Sequence, residues 1–301
     1  MRSTVIRLIL LGAVFALAGC GNVGNGGALP FAGPPNNAGG AGGTFQPGGN
    51  STALLRFVQG SPDFNGVDVC VDNEPFGLAG VSVNYGTAAA EFAITGGIPH
   101  SISVYPPAGA FGGPGVECAT APGPYFGTSA IAVTIIRPGT FGNPLRETIV
   151  LGGTAASNTL GLYVFGDSSF AVTPTGDEAI SHNAAPAFSA TTPNQSVGFG
   201  FTPVAGSPTT LAGAGSVAAP TRAGVTSAAI NANVISPLAA VPTSFFDGVG
   251  VTSGNVVPIT TVAAPAQVLQ PYVVQLYAID AAGGGLGLVP VLEQSFGHGF
   301  R

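Results

Sequence analysis

The sequence predicts an all-β protein built from β-sandwich units. Apolar and polar residues alternate in several short stretches, and this period of two is typical of strands with one buried face. The chain contains 48 Gly and 26 Pro, which supply frequent turns between those stretches. Long runs without Gly or Pro and with apolar residues three or four apart are absent, so no helix is predicted. Short strands between turn clusters favour a β-sandwich.

The N-terminus predicts export. Arg2 and Arg7 accompany an apolar run, Leu8–Ala18, which is too short to span a bilayer and typical of a signal peptide. The run ends in Leu17-Ala18-Gly19-Cys20, which resembles the lipobox of bacterial lipoproteins. The alternative is an ordinary secretory signal that contains this Cys by chance.

The lipobox resemblance implies a membrane anchor. Residues 1–19 are expected to be removed as a lipoprotein signal peptide, and Cys20 is expected to carry diacylglycerol and a further acyl chain such as palmitate. More than one acyl chain makes anchoring stable. Gly21, rather than Asp, follows the Cys, and in lipoproteins this implies transfer to the outer membrane. We therefore expect an exported, lipid-anchored protein of the cell envelope, without a transmembrane helix.

The charge composition excludes several functions. Only 7% of residues are charged, and all seven basic residues are Arg. Without Lys, a P-loop, a Schiff base and a pyridoxal-phosphate site are excluded. After loss of the signal peptide, five Arg face 13 acidic residues, which gives a formal charge of −8. Nucleic acid is not an expected partner, because phosphate neutralisation needs clustered basic residues.

A flexible linker is predicted between the anchor and the folded part, over residues 20–52. Residues 21–52 hold eleven Gly, four Pro and five Asn, and no period of 2 or 3.6 is present. About thirty such residues have a root-mean-square reach of about 30 Å. The alternative is that this segment packs on a domain.

The first predicted sandwich unit covers residues 53–173. Val67–Asp72 alternates Val with Asp or Cys, so its Val side is expected to face a core. Asp72-Asn73 begins a turn, and Ser61-Pro62-Asp63 forms an earlier one, where Asp63 is expected to bond its own turn backbone. Further strands are predicted at the following positions: Val81–Tyr85, Ser101–Tyr105, Ile131–Ile136, Thr148–Leu151 and Thr159–Phe165.

The opening of this unit resembles a known family. Leu54–Asp63, with its Ser-Pro-Asp turn, and the strand Val67–Asn73 are similar to the start of the bacterial domain of unknown function 4397. Thr159–Asp167 resembles the closing strand of that family. The resemblance implies an immunoglobulin-like sandwich, frequent export and tandem copies, and it implies no established activity.

A second, degenerate unit is predicted over residues 178–301. Pro186 and Phe188 repeat Pro62 and Phe64 at an offset of 124 residues. Ser196–Phe201 then takes the place of Val67–Asp72. Near the end, Val273–Asp280 is interpreted as a copy of Thr159–Asp167. The Ser-Pro-Asp turn is replaced here by Ala185-Pro186-Ala187, so a function of the acidic residues is not expected in this unit.

A disulfide between Cys70 and Cys118 is predicted, because two remaining Cys in an exported protein usually pair. The alternation places Cys70 on the outer face of its strand, with Asp68 and Asp72. The bond would hold the Gly- and Pro-rich loop 107–125 against that face. The alternative is two unpaired thiols.

No catalytic residue, cofactor site or metal site is predicted. Asp63, Asp68, Asp72 and Glu74 could supply calcium ligands if they met at one edge, but their spacing does not match an EF-hand loop. His100, His182 and His298 lack the spacing of a zinc motif. No nucleophile elbow is present, and a triad or a carboxylate pair formed only in three dimensions stays open.

The expected function is a structural or protein-interaction role without catalysis. The chain has 19 Phe, six Tyr and no Trp, which favours core Phe and edge Tyr over a sugar-stacking platform. Tyr85, Tyr105 and Tyr125 are the candidates for such a platform. The expected partners are the membrane, through the lipid, and another envelope protein or a glycan. Binding of a glycan or another small ligand, near the first unit's loops, is the alternative function.

Overall fold

The protein is described from a computed structural model. All described residues belong to one compact unit. They cover the following ranges: 52–76, 82–107, 118–119, 123–139, 146–166, 178–191, 196–204, 207–211, 234–237, 243–252, 255–264 and 272–294. The signal peptide, Cys20 and the linker up to residue 51 lie outside these ranges. Within them, no helix has both the length and the apolar character needed to cross a membrane.

The all-β prediction is confirmed, and the strands of residues 52–166, here called the first half, form two sheets. The strands are β1 (Thr52–Gln59), β2 (Gly66–Val71), β3 (Glu74–Pro75), β4 (Val83–Asn84), β5 (Thr87–Ala88), β6 (Phe92–Thr95), β7 (His100–Tyr105), β8 (Ala132–Ile136), β9 (Arg146–Gly152) and β10 (Gly161–Gly166). In the inner sheet the order is β10-β9-β1-β5, with β6 also on β1, and in the outer sheet it is β3-β2-β7-β8, with β4 also on β2.

Residues 178–294, the second half, also form two sheets. The inner sheet has the order β14-β11-β17-β18, and the outer sheet has the order β13-β12-β15-β16. The elements are β11 (Glu178–Ala184), α1 (Pro186–Thr191), β12 (Ser196–Pro203), β13 (Thr209–Thr210), β14 (Val234–Pro237), β15 (Thr243–Thr252), β16 (Asn255–Ala263), β17 (Tyr272–Ala281), a 3-10 turn (Ala282–Gly284) and β18 (Gly285–Gln294).

The two halves repeat one strand order. In each inner sheet the first strand pairs in parallel with a central strand, which then pairs antiparallel with the edge strand that follows it. Strand β17 therefore corresponds to β9, and β18 corresponds to β10. The interpretation of Val273–Asp280 as a copy of Thr159–Asp167 is wrong, because those segments are β17 and β10. The predicted equivalence of β12 with β2 agrees with the strand order.

Matching hydrogen bonds support this repeat. The Ser61 amide donates to Gln59 Oε1 at 3.0 Å, and the Ala185 amide donates to Asn183 Oδ1 at 3.0 Å. Both pairs stand at the offset of 124 residues that relates Pro62 to Pro186. The prediction of separate domains at 53–173 and 178–301, and their immunoglobulin-like character, stay predictions.

Three apolar layers hold the four sheets in a stack. The core of the first half lies between its outer and inner sheets and includes Val69 and Phe57. The core of the second half lies between its two sheets and includes Phe199 and Leu276. A third cluster joins the two inner sheets face to face, through these buried residues: Val58, Val150, Tyr163, Phe165, Ala184, Tyr277, Ile279 and Val289. We call this third layer the junction.

One six-residue helix corrects the prediction of no helix. Helix α1 occupies Pro186–Thr191, where the first half has the turn at Pro62-Asp63. Its six residues are too few to show a helical period in the sequence. The predicted strand Val81–Tyr85 is also shorter than expected among the described residues, where β4 covers only Val83–Asn84.

Candidate functional site

The outer sheet of the first half is organised by the turn at Asp72-Asn73. Both residues have positive φ, 51° and 69°, and they link β2 to β3 by a two-residue hairpin. Such a hairpin requires positive φ at both central residues, and Asn and Asp tolerate it well. The predicted turn is therefore present, and its Asn73 faces the segment that contains Cys118.

A disulfide joins Cys70 to Cys118, as predicted, across a sequence separation of 48 residues. The Cys118 amide donates to the Asn73 carbonyl at 2.6 Å, and the Ala119 amide donates to Asn73 Oδ1 at 2.7 Å. The Tyr125 amide donates to the Cys118 carbonyl at 2.8 Å. We call the described residues 118–119 and 123–131 the pinned loop, because these bonds fasten it to the outer face of the sheet.

Asp68 binds the pinned loop through a hydrogen bond from Tyr125. It is fully buried, and its carboxylate accepts hydrogen bonds from the hydroxyls of Tyr125 and Ser82. The Tyr125 ring stacks on Tyr105 with centroids 4.3 Å apart. Because a buried carboxylate is stable only with donors, Asp68 and Tyr125 together fix the position of the loop.

Asp72 forms a second polar contact on this face. His100 Nδ1 lies 2.6 Å from Asp72 Oδ2, and His100 Nε2 lies 2.6 Å from the Thr95 carbonyl. The Ser101 amide donates to Asp72 Oδ1 at 2.8 Å. The contact ties the hairpin turn to the start of β7.

The structure does not bring the acidic residues together as calcium ligands. Asp68 binds hydroxyl groups and Asp72 binds His100, while Asp63 accepts from the Ala155 amide at 2.7 Å rather than from its own turn, which corrects the prediction for Asp63. Glu74 is exposed. Within the described residues, no group of three or more His, Cys, Asp or Glu side chains is arranged to hold a metal ion.

Three large apolar side chains are exposed on the pinned loop and on β8. Phe126, Val133 and Ile135 are 67%, 59% and 67% exposed. Val133 and Ile135 point outward from β8, about 7 Å apart along the strand, next to Ser103 and Ser101 of β7. The sequence analysis missed this stripe, because alternation identified the strand without showing that its outer face is uncovered. We use the name apolar stripe for these three residues.

The junction contains a cluster of charges at one end. Arg56 is 5% exposed and forms an ion pair with Glu293 of the second half. Arg56 Nη2 also lies 3.1 Å from Glu91 Oε1. Arg146 Nη2 donates to Glu91 Oε2 at 2.8 Å, and Arg146 Nε forms an ion pair with Glu91 Oε1 at 2.7 Å. Burial lowers the pKa of Arg56, but the charge of Glu293 and their hydrogen bond outweigh it and raise that pKa.

A hydrogen-bonded chain continues from this cluster into the junction. Gln275 Nε2 donates to Glu293 Oε1 at 3.1 Å, and His182 Nε2 lies 3.0 Å from Gln275 Oε1. The Tyr277 hydroxyl contacts the same Gln275 oxygen and lies 2.9 Å from Thr148 Oγ1. The His182 ring stacks on Tyr277 at 4.4 Å. His182 therefore belongs to the packing between the halves.

Asp280 occupies another part of the junction. Its carboxylate accepts from the amides of Gly153, at 3.0 Å, Ala187, at 3.2 Å, and Phe188, at 2.6 Å. The Tyr85 hydroxyl donates to the Asp280 carbonyl at 2.7 Å. Burial raises the pKa of Asp280 to about 6, although these three amide bonds lower it. This one side chain connects the first half to helix α1.

A groove of about 530 Å³ opens at the charged end of the junction. Arg56 and Glu91 supply charged groups, and segments 86–90 and 289–292 form the walls. These charged groups already bind one another, so a ligand would meet mostly neutral surface.

The three Tyr residues that were candidates for a sugar-stacking platform, the disfavoured alternative, do not form one. Tyr105 and Tyr125 are buried against each other, while Tyr85 is half-buried and bonded to Asp280. These three Tyr residues are therefore packing groups. His298 lies outside the described residues.

Comparison with known proteins adds little. No family model matches the chain, and no curated protein matches it. A solved fimbrial assembly protein from Parabacteroides distasonis ATCC 8503 is 9% identical, with 81% of this chain and 95% of that chain covered and a TM-score of 0.17. A likeness at that level carries no argument. The resemblance to the domain of unknown function 4397 stays a prediction.

Proposed function

We propose that the protein is a lipid-anchored component of the cell envelope, with a structural or protein-interaction role and no catalytic activity. The observation that carries this proposal is the apolar run ending in Leu17-Ala18-Gly19-Cys20. The Cys70–Cys118 disulfide supports export, because structural disulfides persist mainly outside the cytosol. The lipid would make the membrane a partner, with the outer membrane as the expected location.

Contacts within the folded part support the proposed interaction role. The junction joins both halves through buried apolar, hydrogen-bonded and ionic contacts. The pinned loop is fastened by a covalent bond and by Asp68 and Asn73. A rigid frame of this kind would present Phe126 and the outer face of β8 to a partner at low entropic cost. Another envelope protein is the partner this arrangement favours.

Substitution of Cys20 by Ser tests the anchor. The expected result is loss of acyl labelling and release of the full chain from the membrane fraction. The matched control is the Cys70→Ser, Cys118→Ser double variant, which lacks the disulfide and should stay on the membrane. Unchanged labelling and membrane retention of the Cys20→Ser chain would refute the anchor.

The groove favours a second candidate, binding of a glycan or a small neutral ligand. Its volume of about 530 Å³ lies within the range of small-molecule sites. A glycan array and a small-molecule screen with the full chain would test it, with Ala88→Trp as the variant that fills the groove. Binding that survives Ala88→Trp, or no binding at all, removes this candidate.

A further inference from the structure

We propose that two copies of this chain associate edge to edge through β8, in antiparallel orientation about a two-fold axis. The association would bring the apolar stripes of both copies together. This inference deepens the proposed interaction role and rests on it. Its partner is a second copy of the same chain.

The position of β8 provides the backbone part of the interface. In the described residues β8 is the last strand of the outer sheet and pairs only with β7. An edge strand presents amide and carbonyl groups that another strand of the same kind can pair with. A two-fold axis makes such pairing self-complementary, since each copy offers the same strand.

The apolar stripe provides the side-chain part. Among the side chains that the structure describes, six large apolar ones are exposed, and the stripe accounts for three of them. Antiparallel pairing would place Val133 and Ile135 of one copy beside those of the other, where cross-strand apolar pairs stabilise a sheet.

The charge distribution makes this edge a place where a second copy can bind. The exported chain carries a formal charge of −8, so most orientations of two copies oppose acidic surfaces. Neither β7 nor β8 contains an acidic residue, and association at this edge avoids that repulsion. A lipid surface is the weaker alternative, because lipid cannot satisfy the strand's backbone groups.

The expected dimer is weak in solution. A five-residue strand pair and its flanking side chains cover less than the roughly 1,200–2,000 Å² of a stable interface. Tethering of copies to one membrane raises their effective concentration toward roughly the millimolar range, so a weak contact suffices there. The equivalent edge strand of the second half, β16, contains Pro258, which lacks an amide proton and disfavours pairing.

Sedimentation velocity of the exported full chain in detergent, from low micromolar to millimolar concentration, tests the dimer. The mass should rise toward that of two chains. Ile135→Lys should raise the dimer dissociation constant at least about tenfold, because it places like charges across the axis. Ile135→Thr, which keeps a β-branched residue, should weaken the dimer less. The control, Val204→Lys, alters a side chain 65% exposed elsewhere and should match the wild type.

The Cys20→Ser chain separates this inference from the proposed anchor. It should leave the membrane and still dimerise with the same constant. A wild-type chain that stays monomeric throughout the range overturns the inference, as does equal weakening by Val204→Lys. Loss of binding to neutral phosphatidylcholine vesicles by Ile135→Lys without a change in self-association would assign the stripe to lipid instead, and so also overturn it.

Discussion

The two halves share a strand order. They differ in whether the carboxylate that links the end of the first strand to the end of the central strand comes from the segment after the first strand or from the central strand. In the first half, Asp63 follows the first strand and accepts from Ala155, just after the central strand. In the second half, Asp280 lies on the central strand and accepts from Ala187 and Phe188, just after the first strand. In both halves a carboxylate therefore links the segment after the first strand to the end of the central strand. The carboxylate comes from the first of these elements in one half and from the second in the other. Loss of the Ser-Pro-Asp acid is therefore compensated within the fold.

A second difference concerns the outer sheets. Among the described residues, the first half adds the disulfide and the pinned loop, whereas the second half has Pro258 in the edge strand equivalent to β8. In the part of the chain that the structure describes, the strand order is repeated and these additions are not. We infer that the first half makes contacts and the second half supports it.

The largest expected effect comes from the disulfide, which occurs only in the first half among the described residues. The Cys70→Ser, Cys118→Ser variant should lose about 4 kcal/mol of unfolding free energy, because its 48-residue separation closes a long loop. Urea titration with and without reductant measures this loss. A reductant that leaves the wild type unchanged would show that the bond is not formed.

The next effect tests the junction between the halves. Arg56→Met should cost about 3 kcal/mol, since removing one partner leaves Glu293 buried without its cation. The Arg56→Met, Glu293→Leu double variant is the control and should recover much of the loss. Equal stability of the single variant and the wild type, by urea titration, would mean that the ion pair contributes nothing.

A pH dependence compares one buried carboxyl from each half. Burial raises the pKa of Glu147 to about 7 and that of Asp280 to about 6. The folded state thus binds more protons than the unfolded state above about pH 4, and stability falls as pH rises toward 7. We expect the wild type to be more stable at pH 5 than at pH 8 by about 2 kcal/mol or more.

The variants Glu147→Gln and Asp280→Asn separate the two contributions to that pH dependence. Each should reduce the difference between pH 5 and pH 8, with the Glu147 effect extending to higher pH. Thermal unfolding at a series of pH values measures this. Greater stability of the wild type at pH 8 would reverse the sign and contradict the assignment.

The smallest expected effect concerns the pinned loop. Tyr125→Phe removes a hydroxyl that donates to the buried Asp68 and should cost about 1.5 kcal/mol. Tyr85→Phe removes a bond to a neutral carbonyl at the junction and should cost about 1 kcal/mol or less. Urea titration of both variants compares the two regions. A larger loss for Tyr85→Phe would mean that Asp68 does not depend on Tyr125.

Local patterns were sufficient to predict part of this structure. Alternation at Val67–Asp72 correctly placed Cys70 on the outer face, and export chemistry then predicted its pairing with Cys118. The same patterns misassigned Val273–Asp280, because short apolar strands resemble one another and only pairing partners distinguish β9 from β10. Period and composition carry no information about those partners.

The junction and the apolar stripe could not be predicted for a related reason. Arg56 lies in an apolar strand, and its partners Glu91 and Glu293 are distant in sequence. Ile135 has the alternation of an ordinary strand residue, and its exposure depends on which elements cover the sheet. Both features arise from packing between segments far apart in the chain.

Site-specific photocrosslinking on intact cells tests most directly whether contacts are made by the first half. A photoreactive amino acid placed at Val133 or Phe126 should yield a crosslinked species with the mass of two chains. The same amino acid at Phe245 or Val204 of the second half, both exposed, should yield none. Crosslinks of that mass from Phe245 and not from Val133 would contradict the division of roles between the halves.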